Sequence, residues 1–189
     1  MTAATLTLLA LVAALQSLSL TSEDDYKPID RVADALAAGD AASAVSDSLA
    51  LLSAAKRLDR LAAHPVEGQD DIATRWRQQS LPRGADNVLV PTRGRTLGPS
   101  YRGGQLAGGA SLEIEQIFFG GEAAVVVIVP QSGRILKINV ADITPTTVCA
   151  KVVKAPKTAC RWLPIFTTRY RINVVNPSTL SARYYLISN

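Results

Sequence analysis

The feature that most constrains the fold is a series of short apolar segments, about ten residues apart, between Ser111 and Asn189. The first, SLEIEQIFF, alternates apolar and acidic residues and predicts a half-buried strand. The next, AAVVVIV, is a continuous β-branched run that suits a central strand buried on both faces. Turn residues separate these two from ILKINVAD, VCAKVV, TACRWLP, RYRINVVN and ARYYLISN. Short strands at this spacing are typical of an antiparallel β-sandwich and not of a βαβ architecture.

The chain before these segments has helical periodicity instead. Apolar residues recur at helical spacing over 29–36, and Gly39 is predicted to end this first helix. Asp40 is predicted to cap a second helix that runs to about Ala63. Its predicted apolar stripe consists of Ala44, Val45, Leu49, Leu52, Ala55, Leu58 and Leu61. A third, short helix is predicted within 66–79. A helical hairpin this small needs a partner surface to be stable, so we expect it to pack on the rest of the chain.

The composition divides the chain into four parts. Residues 1–22 are predicted to be a signal peptide and residues 26–79 a helical segment. Residues 80–109 are rich in Gly, Pro and Arg and read as an irregular linker or arm. Residues 110–189 form the predicted sandwich. The predicted fold class is therefore α+β, a helical N-terminal segment followed by a jelly-roll-like antiparallel β-sandwich.

The case for export rests on the apolar run TLTLLALVAALQSLSL at residues 5–20. It is too short and too polar for a membrane span, and the acidic TSEDD that follows suits a signal peptide. No Lys or Arg precedes the run and no A-x-A site follows it, so a buried helix of a soluble protein is the alternative. We expect a periplasmic or secreted protein that is not an integral membrane protein after processing.

Two cysteines, Cys149 and Cys160, stand apart from other metal or redox ligands. There is no CxxC pattern, and the single histidine, His64, is far away in sequence. In an exported protein we expect a disulfide, which would contribute about 3 kcal/mol on the loop-entropy model. Two free thiols in a cytosolic protein are the alternative.

Charge is distributed unevenly along the chain. Residues 1–71 carry five Lys/Arg and eleven Asp/Glu, whereas residues 72–189 carry fifteen and five. Either two oppositely charged surfaces attract each other, or the basic part forms a face for an anionic partner. The candidate binding residues lie among the aromatic residues of the last strands: Arg161, Arg169, Arg171 and Arg183.

Catalytic constellations are not found in the sequence. The sequence contains no G-x-S-x-G motif whose serine His64 could activate as a base, so a serine hydrolase is disfavoured. Glu113 and Glu115 share one strand face, which leaves a glycan-acting enzyme as the least favoured hypothesis. Between residues 120 and 189 only Glu122 and Asp142 are acidic, too few for a typical calcium site. We predict no catalytic residues, no cofactor and no metal.

Three segments resemble the bacterial pre-peptidase C-terminal domain, a β-sandwich that accompanies secreted peptidases and also stands alone. They are FFGGEAAVVVIV, with its glycine turn before a central strand, CRWLPIFTTRYRINVVN and the closing ARYYLISN. The resemblance covers about 80 residues of the chain. Many members carry several Asp residues where this chain has SGRILKINVAD, with Arg134 and Lys137. This departure disfavours a metal site at that strand.

These observations favour an exported, non-enzymatic binding or structural module of the bacterial envelope. Its expected partner is another envelope protein or an anionic surface polymer, and not nucleic acid. The resemblance implies an alternative, namely an accessory, inhibitor or folding helper of a secreted hydrolase.

Overall fold

The computed structural model describes residues 23–81, 98–131, 133–144 and 146–189. Within these residues there are three helices, α1 (Glu23–Ala44), α2 (Ser48–Arg60) and α3 (Ile72–Ser80). The strands are β1 (His64–Pro65), β2 (Ser100–Leu106), β3 (Ser111–Phe118), β4 (Ala124–Pro130), β5 (Leu136–Asp142), β6 (Thr147–Val153), β7 (Thr158–Trp162), β8 (Thr168–Val175) and β9 (Ala182–Ser188).

The strands form two sheets that pack face to face. The five-stranded sheet has the order β1-β2-β9-β4-β7, and the four-stranded sheet has the order β3-β8-β5-β6. All pairings are antiparallel except the short parallel contact of β1 with β2. Without β1, the first strand lies beside the last in an eight-stranded jelly roll. The predicted α+β class with an antiparallel sandwich is confirmed.

Alternating side chains build the core between the sheets. On β5, Leu136, Ile138 and Val140 point inward, whereas Lys137 and Asn139 face solvent. This is the period of two that the sequence predicted for these strands. β8 alternates in the same way, whereas β6 exposes most of its apolar side chains.

The continuous apolar run on β4 is buried on both faces, as predicted. Val126 and Ile128 belong to the core between the sheets. Val125, Val127 and Val129 point the other way and pack under the helices. The helical segment thus finds its partner surface on the outer face of the five-stranded sheet.

The predicted boundary between the first two helices is wrong. α1 runs through Gly39 and ends four residues after Asp40, so Gly39 does not end the helix and Asp40 does not cap the next one. Gly39 is glycine for a packing reason, because a Cβ there would overlap the six-membered ring of Trp76. The cap of α2 is Asp47, whose carboxylate accepts from the backbone N–H of Ala50 at 3.0 Å.

The buried face of α2 also differs from the predicted stripe. Because the helix begins only at Ser48, Val45 lies before it and is 74% exposed, and Leu49 in the first turn is 80% exposed. The side chains that α2 buries are Leu51, Ala54, Ala55 and Leu58. The third helix is confirmed in shorter form, with Asp71 as its cap.

Part of the predicted linker is a strand. β2 lies within the range 80–109 and pairs along its whole length with β9, although its SYRGGQL sequence has little β propensity. Tyr101 anchors it, since the buried phenol accepts from the N–H of Ile72 and donates to Asp71, both at 3.1 Å. Residues 82–97 of the predicted arm and the predicted signal peptide at 1–22 lie outside the described residues. The division into domains stays a prediction.

Cys149 and Cys160 form a disulfide, which confirms the predicted pairing. It joins β6 to β7. Each of these strands is an edge strand of its sheet. Nearby, the ammonium group of Lys151 donates to the carbonyl of Ala159 at 2.6 Å. One edge of the sandwich is therefore closed covalently. Of the helices in the described ranges, none combines the length and the apolar character that a membrane crossing requires.

Candidate binding cleft

Two of the four candidate arginines lie on the four-stranded sheet. Arg169 and Arg171 project from the solvent face of β8 towards acidic residues of β3. Arg169 lies 3.2 Å from the carboxylate of Glu115, and Arg171 lies 3.1 Å from that of Glu113. Cross-strand ion pairs of this kind stabilise a sheet modestly. They also occupy the two glutamates that a glycan hydrolase would need.

Arg161 belongs to the other sheet, on β7, and contacts the helical segment. Its guanidinium lies 2.7 Å from the carboxylate of Asp30 on α1. Lys157 reaches the same helix, 3.3 Å from Asp30 and 2.7 Å from Asp34. The four candidate arginines therefore do not share one sheet face, because they lie on two sheets. That they bind a ligand stays a prediction.

Arg183 lies on β9 and lines a cleft between the helices and the five-stranded sheet. The cleft has a volume of about 420 Å³. Its lining includes Asp40, Ser43, Gln69, Asp70, Arg75, Trp76 and Gln79 from the helical part, and Gly103, Gly104, Gln105, Gln131, Arg183 and Tyr185 from the sheet. Its volume falls in the range of small-ligand sites, although its lining is more polar than is usual for them.

The strand register positions the residues on the floor of this cleft. Arg183 and Tyr185 are two apart on β9, so both side chains face the helices. On β2 they lie opposite Gln105 and Gly103, respectively. A Cβ on Gly103 would lie 3.6 Å from the ring of Tyr185, an ordinary contact, so this glycine leaves open space above the floor. The neighbouring Gly104 has no such room, because Tyr184 packs directly against it.

Burial perturbs the pKa values of two groups that line the cleft. Burial raises the pKa of Asp40, and the positive charge of Arg183 partly opposes this. Burial, with the charge of Asp40 adding to it, raises the pKa of Tyr185 to about 12. Tyr185 is therefore a neutral hydroxyl at physiological pH. The remaining charged pair, Arg75 with Asp70, lies at 2.7 Å.

We also located the histidine and the clusters of metal-ligating residue types in the part of the chain that the structure describes. His64 lies on β1 and does not line the cleft. No group of three or more His, Cys, Asp or Glu side chains is placed to hold a metal among residues 23–81, 98–131, 133–144 and 146–189. What the cleft offers is hydrogen bonding by amides and hydroxyls, together with the ion pair of Arg75 with Asp70.

A second feature is an apolar end of the sandwich, formed by the loops after β3 and β7. The loops contact each other, and the N–H of Gly121 donates to the carbonyl of Pro164 at 2.8 Å. Their large apolar side chains are mostly exposed: Phe119 by 60%, Leu163 by 64%, Ile165 by 82% and Phe166 by 76%. Exposed clusters of this kind mark interaction sites in many proteins. We call these four residues the apolar end.

Of the cleft residues, the sequence pointed only to Arg183 as a binding residue. Asp40 was assigned to a helix cap, and Gly103 to an irregular arm. A sequence signal did exist for Gly103, since two adjacent glycines in a strand often mark a close approach of another backbone. That signal depends on recognising β2 as a strand.

Among solved structures, the chain is similar to the pre-peptidase C-terminal domain of a collagenase from Bacillus anthracis. The identity is 11%, the TM-score 0.41, and the match covers 47% of this chain and 87% of that one. The resemblance inferred from the sequence is thus found among solved structures as well.

Two further similarities are to other solved structures. PliG of Aeromonas hydrophila, a periplasmic inhibitor of g-type lysozyme, has 14% identity and a TM-score of 0.39, over 67% of this chain and 94% of that one. TmCBM61, in complex with β-1,4-galactotriose, has 16% identity and a TM-score of 0.29, over 46% and 64%. No function is transferred from similarities at these values. No protein-family model matches the sequence. No curated protein matches it either.

Proposed function

We propose that this chain is an exported, non-enzymatic binding module of a bacterial envelope and that the cleft between helices and sheet is its binding site. The observation that carries the proposal is the cleft itself, about 420 Å³ of space lined by hydrogen-bonding groups. Burial raises the pKa of Asp40 and keeps Tyr185 a neutral hydroxyl, which suits hydrogen bonding to a ligand better than nucleophilic attack on one. The disulfide supports export, since such bonds persist in oxidising compartments.

The fold supports a rigid site. The cleft is bordered on one side by α1 and α3 and on the other by the ends of β2, β4 and β9. The ion pairs of Asp30 and Asp34 with Lys157, and of Asp30 with Arg161, help to fix the helical segment on the sheet. A site between two packed layers keeps its shape without a ligand, which reduces the entropic cost of binding.

Capture of envelope material on the immobilised protein tests the proposal. Gly103→Leu is designed to fill the cleft, because a side chain at this position has room beside Tyr185. Asn139→Leu adds the same bulk on the solvent face of the other sheet and serves as control. We expect Gly103→Leu to lower the captured amount about tenfold and the control to match the wild type. Equal capture by both variants would contradict the cleft as the site.

Export has its own test. Fractionation of the producing cells should place the protein in the periplasm or the medium. Its first residue should lie after the predicted signal peptide at 1–22. A cytosolic protein with an intact N-terminus would refute export without affecting the cleft.

The apolar end favours a second candidate function, an accessory or inhibitor of a secreted hydrolase. Ile165 and Phe166 project from one loop and are more than three-quarters exposed, which suits insertion into an apolar depression of a partner protein. Replacing both by serine should abolish binding to a hydrolase that is exported by the same cell. Leu49→Ser is the matched control, because this side chain is equally exposed on the helical part. Loss of binding in both variants, or in neither, would argue against the apolar end.

A further inference from the structure

The edge of the five-stranded sheet is open beside the cleft. β1 pairs with only the first two residues of β2. The chain then turns away from the edge, with the N–H of Gln69 donating to the carbonyl of Val66 at 3.0 Å and Gly68 at a φ of +78°. From Arg102 onwards, β2 therefore has no strand neighbour on this side among the described residues.

Two hydrogen bonds show which backbone groups of β2 point outwards. The N–H of Val66 donates to the carbonyl of Tyr101 at 2.9 Å, so Tyr101 directs its backbone groups away from β9. Consistently, the carbonyl of Arg183, opposite Gln105, accepts from the β4 side. Because backbone groups alternate along an antiparallel strand, Gly103 and Gln105 also direct their N–H and C=O outwards. Within the part of the chain that the structure describes, these groups have no hydrogen-bond partner.

The spacing of these unpaired groups matches that of a polypeptide. Residues two apart on a strand are separated by about 6.8 Å, and a neighbouring strand presents complementary groups at the same interval. Gly103 carries no side chain, so another backbone can come close to the edge here. Gln105 is exposed at the far end of the same stretch.

The charged residues of the cleft limit the net charge of the ligand that it can bind. Asp40 faces Arg183, and Asp70 pairs with Arg75, so acids and bases balance. Amide side chains that both donate and accept, Gln69, Gln79, Gln105 and Gln131, make up much of the remaining lining. A ligand with backbone amides and no strong net charge satisfies these groups better than a polyanion does.

We propose that the cleft binds an extended polypeptide segment, which adds to the sheet as a strand along Gly103 to Gln105. This rests on the proposed function of the cleft and names its ligand class. Main-chain hydrogen bonds to the edge supply affinity in this mode of recognition, and alternate side chains supply specificity. The added strand lies beside β2, in the position that β1 would occupy if it continued past the turn at Gly68.

The test starts with panning of phage-displayed random dodecapeptides on the full chain, and a selected peptide is then the probe. Gly103→Pro removes the outward N–H and leaves the rest of the strand, since edge strands tolerate proline where the N–H faces solvent. Gly103→Ala keeps the N–H and adds a methyl group that fits. By fluorescence anisotropy, we expect Gly103→Pro to bind the peptide about tenfold more weakly than Gly103→Ala.

A second measurement does not depend on the folding of a variant. Single N-methyl groups are placed in turn along the selected peptide, and binding to the wild-type protein is measured. An added strand predicts loss of affinity at every second position, because only alternate amides of the peptide face β2. Equal affinities of the Pro and Ala variants with an N-methyl scan that shows no alternation would overturn the proposal.

The outcomes separate this proposal from the one on which it rests. If Gly103→Leu abolishes capture of envelope material while the N-methyl scan is flat, the cleft is the site but its ligand is not an added strand. If the panning selects no peptide and an envelope oligosaccharide binds, the proposal of a polypeptide ligand is also overturned. The ligand of the cleft is then a glycan. If neither peptides nor envelope material bind, the proposed function fails as well.

Discussion

Replacing Gly39 by alanine should destabilise the protein, although the same change normally stabilises a helix. In an unconstrained helix interior, alanine is better than glycine by about 1 kcal/mol. Gly39 lies inside α1, where the new Cβ would overlap three ring carbons of Trp76. Trp76 is only 3% exposed and belongs to the core under the helices, so its ring has little room to move.

The expected magnitude follows from these opposing effects. Overpacking of a well-filled core costs about 1–3 kcal/mol, and the overlap with a rigid indole lies at the upper end of that range. Subtracting the helix-propensity gain of about 1 kcal/mol leaves a net loss of about 2 kcal/mol. For a chain of this length, such a loss lowers the melting temperature by about 4–8 °C.

Urea and thermal unfolding followed by far-UV circular dichroism would measure the effect. Ala38→Gly is a useful control, because Ala38 is exposed on the same helix. This change should lower the free energy of unfolding only by the helix-propensity difference of about 1 kcal/mol. In a Trp76→Leu background the overlap is removed, so Gly39→Ala should become neutral or stabilising, which a double-mutant cycle reports as coupling. Stabilisation by Gly39→Ala in the otherwise unchanged protein would refute the packing explanation.

Three further predictions concern the links that hold the layers together. Replacing Cys149 and Cys160 by alanine should lower the free energy of unfolding by about 3 kcal/mol, and an unchanged urea midpoint would contradict this. Asp30→Asn should cost about 1 kcal/mol through its partly exposed ion pairs with Lys157 and Arg161, and the difference from wild type should shrink in high salt. The pKa of Tyr185 is about 12 in the folded protein and about 10 when unfolded, so stability should fall between these pH values as the unfolded state releases its proton first. Tyr185→Phe should remove about 3 kcal/mol of that fall, since one pKa unit corresponds to about 1.4 kcal/mol, and identical pH profiles would show that burial does not perturb the tyrosine.

The sandwich was predictable because its strands carry strong local signals. The run Val125 to Val129 is β-branched throughout, and β5 alternates without exception from Leu136 to Val140. In strands like these, local propensity and tertiary burial favour the same structure. The pairing of strands into a jelly-roll order needed the structure, since the local pattern does not specify which strands are neighbours.

The helix boundaries were not predictable from local signals, since these competed. Gly39 followed by Asp40 resembles a helix end followed by a cap, yet the contact of Gly39 with Trp76 overrides that pattern. The residue that does cap α2, Asp47, is of an equally favoured type. Only tertiary packing determines which of the two aspartates, Asp40 or Asp47, caps α2.

The cleft was missed because its parts are distant in sequence. Asp40, Arg75, Gly103 and Arg183 come from separate elements, and none of them belongs to a motif. Attraction between the acidic and basic parts of the chain was one of the two interpretations of the charge distribution, and the contact of Lys157 with α1 is of that kind. It did not predict which arginine would face a cavity, because that depends on strand order.

Photo-crosslinking from inside the cleft can establish whether a ligand binds there. A photo-crosslinking residue is placed at Gln105, on the exposed end of the open edge, and in a second protein at Asn139, on the solvent face of the other sheet. Both proteins are irradiated in the envelope fraction of the producing cells. Binding in the cleft predicts a discrete adduct from position 105, lost when Gly103→Leu is added, and none from position 139. Equal adducts from both positions, or an adduct from 139 alone, would contradict the cleft as the binding site.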